Sequence, residues 1–467
     1  MTHTAQPPPM PSEPRWRQSL AFYRDPWAYL ARKRRELGDL FMLDVVGLGR
    51  WAYVCAPDLL KEMYRTPDTK LAAGQGTKQL IGDLLGEHGS SSVDGEAYLV
   101  RRRAITAQLK GLEASIPLMR STVEKRIAGW DTEKPFAFLP EANRMSVEIL
   151  LDTVLGDVDP EMLADFADKT MGFLDRLGSP FVLTSLFRRS LGGLTPWGRF
   201  LAARRRLQRA IGEEARRRKR TGDRPGGLID ALIEIDFPDA EPGEDPVQPV
   251  VDEVVNLLFA GRETTAKILT WILRELLLDE GCRRRLVEEI DDALGGRPIE
   301  DERALRRMPY LAAVVQEGLR YPPLGVFAGV RKALTEVELG GIRIPEGVTV
   351  AHCIAEARRR EEVFPHPDTF DPRNFFERSL PRHAWNPFGG GIRICPGRDH
   401  GQLSLAVSLV TLLQRTELSL DSPERDRRIE RSGMLHVPVG GLRLRYRPRR
   451  DGAAPQPAEE PAQKLTT

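Results

Sequence analysis

With 467 residues, the chain has room for roughly three average domains or for one large fold. Hydrophobic residues at 41% and charged residues at 29% support a sizeable buried core and confine disorder to the ends. A formal charge of +2 excludes a nucleic-acid binder driven by counterion release, so any electrostatic partner has to use a local patch.

The first residues, Met1 to Pro11, have neither the apolar core of a signal peptide nor a membrane span, and 1–14 reads as a disordered arm. Four widely spaced cysteines, Cys55, Cys282, Cys353 and Cys395, form no zinc or disulfide framework. A reducing, cytoplasmic setting is therefore expected. A helix is expected from Pro26 to Leu37, then strands over Leu40–Val46 and Trp51–Cys55 joined by a Gly47-Leu-Gly49 turn. From about Gly95 to Arg320 the pattern is mostly helical, broken near Gly178-Ser-Pro180, Gly192-Gly193 and 236–249. The arginine-rich runs within it, such as Arg101-Arg102-Arg103, read as solvated helix faces.

The apolar run Val250–Leu278 predicts a helix long enough to cross the molecule. Seven charges within it, from Asp252 to Glu275, exclude a membrane span. Its centre reads Ala260-Gly261-Arg262-Glu263-Thr264-Thr265, and a glycine there costs roughly 1 kcal/mol relative to alanine. Either another helix packs over Gly261 while Thr264 bonds back to an upstream carbonyl, or the small residues leave a notch for a ligand. Asn256, Ala260 and Thr264 lie at four-residue steps and share a face. Downstream, Glu317-Gly-Leu-Arg320 places an acid and a base on one helical face. Strand character returns at Val337–Ile344 and Val348–Val350, around the turn Pro345-Glu-Gly347, and an irregular proline-rich segment fills Phe364–Phe388. The end from Arg449 reads as a disordered tail. One domain over 15–448, mainly α with minor β, is the expected architecture.

The most informative stretch is Phe388-Gly-Gly-Gly-Ile-Arg393-Ile-Cys395-Pro-Gly397. Three glycines permit crowded backbone, Pro396 fits the first turn of a helix, and the positive end of the helix that follows would favour an anionic sulfur. Pro396 has no N–H to give that sulfur, which leaves more charge on it. Phe, Gly, Arg, Cys and Gly at these offsets resemble the haem-binding signature of the cytochrome P450 family. Ala260–Thr265, Glu317/Arg320 and Phe370-Asp-Pro-Arg373-Asn-Phe375 match further family motifs in order.

The resemblance spans about Asp25 to Tyr446 and implies a triangular, mostly helical fold holding haem b, with Cys395 as the iron ligand. Arg393, Arg102 and Arg331 would meet the propionates, with Lys332 competing with Arg331 for its position. Tyr98 stands where the family more often has Trp or His. Phe388, Ala260 and Gly261 would border the haem, Thr264 would steady dioxygen, and Glu263 would help conduct protons. Glu317, Arg320 and Arg373 would form a buried network. Arg358 replaces a histidine common in the family. Asn256 and Phe327, with Leu80, Ile81, Phe181, Val182 and Val326, would meet a predominantly apolar substrate, although Asn256 has equal reason to bond its own neighbours. The implied activity is a monomeric monooxygenase that inserts one atom of dioxygen into a hydrophobic small molecule, such as a lipid, terpenoid, steroid or secondary metabolite. Electrons would come from a separate ferredoxin or flavodoxin. A peroxide-driven peroxygenase and a haem-binding sensor are the alternatives.

Overall fold

The computed structural model describes residues 6–109, 111–183, 188, 193–380, 384–426, 428–432 and 435–449. The elements that position the site are, in chain order, α1 (Arg15–Arg24), α2 (Pro26–Leu37), β1 (Leu40–Val45), β2 (Gly49–Val54), α3 (Pro57–Arg65), β3 (Leu71–Ala72), α4 (Gly95–Gln108), α5 (Phe138–Leu155), α6 (Gln248–Leu278), α7 (Pro309–Arg320), β4 (Ala328–Ala333), β5 (Thr349–His352) and α8 (Arg398–Arg415). Helices dominate, as the periodicity predicts. Asp25 caps α2 by accepting from the Ala28 N–H, and Pro26 sits at its first turn, so this helix begins where the sequence says it should.

Helix α6 runs for 31 residues, about 46 Å at 1.5 Å per residue, without interruption at Gly261. Its first half, through Val250, Val254 and Leu258, belongs to one apolar core. The second half, through Leu269, Ile272 and Leu276, belongs to another that includes α8. The helix therefore spans both cores, and everything mounted on its middle is held from two sides.

The main sheet has the order β1-β2-β5-β4-β3. Strands β1 and β2 form the predicted hairpin, and β2 pairs in parallel with β5, Trp51 opposite Thr349. The expected strand over 337–344 is instead a tight hairpin, because Gly340 and Gly341 adopt φ of 58° and 77° and reverse the chain. Residues 6–14 carry no helix or strand, yet they are tethered. The Pro9 carbonyl accepts from Met42 N, and Glu13 accepts from Lys33 and Tyr29. For residues 6–14 these bonds replace the expected disorder, while residues 1–5 of that arm lie outside the described residues. Of the expected tail, Arg449 bonds to Asp291, and residues 450–467 lie outside the described residues.

Two histidines are buried in this framework. His352 takes the Tyr64 hydroxyl at 3.0 Å on Nδ1, and His400 lies 3.3 Å from the Thr153 hydroxyl. Burial pushes each from its ordinary value down to about 4. Both are neutral in the folded chain but take up protons readily when unfolded, so their contribution is complete above about pH 6.5 and disappears toward pH 4. Each should cost about 2–3 kcal/mol of stability across that window. Urea titrations at several pH values should show a shallower acid loss for His352→Gln than for the parent.

Candidate functional site

The cysteine loop is shaped from behind. Gly389 and Gly391 adopt φ of 73° and 65°, and the Cys395 N–H donates to the Phe388 carbonyl at 2.9 Å. A Cβ on Gly391 would lie 2.1 Å from the Tyr64 carbonyl oxygen, and one on Gly390 would lie 2.8 Å from the Tyr64 ring. These two glycines thus admit α3 against the rear of the loop. Gly391→Ala should destabilise the protein by more than about 2 kcal/mol, combining a left-handed alanine with a backbone clash. Thermal unfolding would check it.

Pro396 is not in the first helical turn. Gly397 is the N-cap and α8 begins at Arg398, which places the proline before the cap. The Gly397 N–H instead faces the sulfur and, with Arg102 and Arg398, lowers the thiol pKa; burial is the larger influence and leaves it above the ordinary value. The positive helix end therefore does not by itself make the sulfur anionic, and metal coordination would have to displace its proton.

Cys395 is exposed, but into a cavity of about 720 Å³ that it lines together with Ala260, Gly261, Glu263 and Thr264 of α6. Ala260 and Thr264 are likewise exposed on a helix that is otherwise largely buried, so their open surface belongs to the same space. The Thr264 hydroxyl donates to the Ala260 carbonyl at 2.8 Å. A Cβ on Gly261 would meet the end of the Leu150 side chain of α5 at 2.6 Å, so α5 packs closely beside this glycine while the glycine also lines the cavity. Glu263 points along its own helix, held by Lys267 and by Arg262 at 3.2 Å.

Arg102, Arg331, Arg393, Tyr98 and Phe388 all border this cavity. Arg393 lies 3.6 Å from the Tyr98 ring centre and bonds to Asp68 at 2.8 Å and Asp94 at 2.6 Å. The Tyr98 hydroxyl donates to the Ile392 carbonyl, and Arg102 donates to that of Ile394, so both brace the loop. Arg331 faces inward with 3.4 Å to Asp68, while its neighbour Lys332, on the alternate strand face, is not among the lining residues. Asp68, which bridges two of the three arginines, had no signal in the sequence.

Asn256 borders the cavity, but its amide is engaged. Ser91 donates to its oxygen at 2.5 Å, and its nitrogen reaches Ser90 at 3.3 Å and Glu253 at 3.5 Å. Fully buried Glu253 also accepts from the Ser90 N–H and hydroxyl. Asn256 thus straps the 90–94 segment, which holds Arg393, to α6. Leu80, Ile81 and Phe327 line the cavity, with Phe327 edge-on to Trp51. Phe181, which is 53% exposed, Val182, which belongs to a core, and Val326, which packs beside the sheet, are not among the lining residues.

Glu317 and Arg320 form a two-point ion pair at 2.6 and 2.7 Å with no exposed surface. Arg320 also donates to the carbonyls of Arg358, Pro367 and Thr369, and Glu317 accepts from the Asp371 N–H. Arg373 is not part of this network. Its side chain is 64% exposed and among the described residues pairs only with Asp371, whereas buried Asn374, one residue further round the short helix Arg373–Phe376, turns inward to Glu317. The Arg358 guanidinium sits over the Trp27 ring at 4.8 Å and donates to the Tyr321 carbonyl, joining this network to α2. Burial, helped by Arg359 and Arg320, pushes it down to about 9.

Comparison with known proteins agrees with this geometry. The family model for cytochrome P450 matches residues 7–444. The Mycobacterium tuberculosis protein that carries the name cytochrome P450 135B1 is 30% identical over 452 residues, covering 94% of this chain and 90% of that one. Another from the same organism, carrying the name cytochrome P450 137, is 30% identical over 441 residues, covering 91% and 87%. Among solved structures, retinoic acid-bound cyanobacterial CYP120A1 superposes with a TM-score of 0.80 at 21% identity, covering 96% of this chain and 100% of that one. The cytochrome P450DA heme domain gives 0.77 at 19%, covering 96% and 99%. Both share the triangular, mainly helical fold with a small sheet region. The chain, in which Cys395, Ala260 and Thr264 line one cavity, belongs to the cytochrome P450 family and is a monooxygenase.

Proposed function

We propose that this monooxygenase binds haem b between Cys395 and the Ala260–Thr264 face and oxygenates an apolar small molecule of the lipid, terpenoid, steroid or secondary-metabolite type. A separate ferredoxin or flavodoxin supplies the electrons. The observation that carries the reading is the cavity itself, whose lining includes Cys395 together with the small or hydroxylated residues Ala260, Gly261 and Thr264 of α6. The residues suit the cofactor. Arg331 Nη2 is buried without a hydrogen-bond partner among the described residues, and Arg331 and Arg393 converge on one carboxylate, Asp68, a place that carboxylate-bearing propionates would suit as well. Haem ligated through a thiolate supplies dioxygen activation and O–O cleavage.

The chain supplies position and protons. Leu80, Ile81 and Phe327 exclude water and orient an apolar compound. The Thr264 hydroxyl, whose proton is directed to the Ala260 carbonyl, offers its lone pairs to the cavity. Glu263 leaves Lys267 and Arg262 to pass protons inward. A peroxygenase would need neither residue. The test is turnover with surrogate ferredoxin and reductase under ¹⁸O₂, using a compound selected by its spin-state shift. One labelled atom in the product supports the reading; unlabelled product, or product formed with peroxide but none with dioxygen and the reductase, overturns it.

A further inference from the structure

Helix α1 is packed inside out. Its buried residues are Gln18, Ser19 and Phe22, whereas Trp16, Leu20 and Tyr23, at helical spacing, are 59%, 64% and 55% exposed. The inward polar side chains have a definite task. Gln18 accepts from the Asp44 N–H at 3.0 Å and Ser19 from the Val46 N–H at 2.8 Å, which pairs the open edge of β1. That arrangement turns the apolar stripe to solvent. Val46, 51% exposed, extends it, since the Tyr23 hydroxyl donates to its carbonyl at 2.7 Å.

We infer that this stripe is a docking surface for anionic lipid, on which the protein lies without crossing the bilayer. Trp, Leu and Tyr beside arginines are the residues that seat a helix at a headgroup boundary. Arg17 stacks on Trp16 at 5.0 Å, and neither Arg17 nor Arg24, both exposed, makes an ion pair among the described residues, so their charge is available to phosphate groups. The nearby Asp44 is already paired with Arg15 at 3.0 Å and lies 3.7 Å from Arg50. No helix of the described chain is long and apolar enough to span a membrane, so the contact is peripheral. A second copy is the weaker occupant, because four side chains fall well short of the roughly 1,000 Å² that a stable protein pair buries.

The test is flotation of the full-length holoprotein with vesicles of equal phosphatidylglycerol and phosphatidylcholine, against phosphatidylcholine alone. Preferential binding to the anionic vesicles is expected, weakened at least about tenfold in a Trp16→Ser/Leu20→Ser double variant. The variant's circular dichroism and carbon monoxide difference spectrum should match the parent. Equal binding by the folded double variant would overturn the inference, as would no vesicle binding by the parent. So would self-association in sedimentation velocity that the double variant abolishes while vesicles bind neither protein.

Discussion

Glu317→Ala is expected to lose about 3–5 kcal/mol of stability, because it leaves the Arg320 guanidinium buried without its counter-charge. Single domains hold only about 5–15 kcal/mol in total, so most of the margin would go. The consequence is local as well as global. Through Arg320 the network fixes the carbonyls of Pro367 and Thr369, and through Glu317 it fixes Asp371 N, all on the segment that leads to the cysteine loop. Haem content should therefore fall even in the fraction that remains soluble. Urea unfolding and the ratio of haem to protein absorbance would measure both effects. Arg373→Ala provides the contrast: with an exposed pairing to Asp371 as its sole ion pair among the described residues, it should leave both readings unchanged. A stable, haem-replete Glu317→Ala protein would contradict the network's role.

Cys395→Ala should have the largest effect on activity with little effect on folding. The side chain is exposed to the cavity, and α8 draws its stability from core residues such as Leu405, Leu409 and Leu412. Circular dichroism should match the parent, while oxygenation falls to the level of a reaction without enzyme. Product formation at a measurable fraction of the parent rate would mean that the sulfur is not the essential ligand.

The site was legible in the sequence wherever its chemistry is local. The cysteine loop places its special residues within ten positions, so composition and spacing alone expose it. The same holds for Glu317 and Arg320, whose one-face relation is set by helix geometry. Where a side chain's partner comes from elsewhere in the fold, the sequence leaves alternatives open. Leu150 packs beside Gly261, Ser90 and Ser91 hold Asn256, and Tyr64 backs the loop glycines, none of them near in sequence. Arg373, which the resemblance implies for the network, turns outward, because a single residue of phase on a four-residue helix brings Asn374 to Glu317 instead. For α1, the apolar stripe would suggest the buried face, but unpaired edge amides of β1 take the polar face instead. The fold was easier: α2, the first hairpin and α6 carry their start signals and periodicity within themselves.

The central claim is that Cys395, as a thiolate, holds a haem that faces Ala260 and Thr264. Its most direct test is the difference spectrum of the purified, reduced protein under carbon monoxide. The account predicts the long-wavelength Soret band that an anionic sulfur ligand produces, absent from Cys395→Ala. A band at the shorter wavelength of a nitrogen-ligated haem, or an unchanged spectrum in the variant, would contradict it.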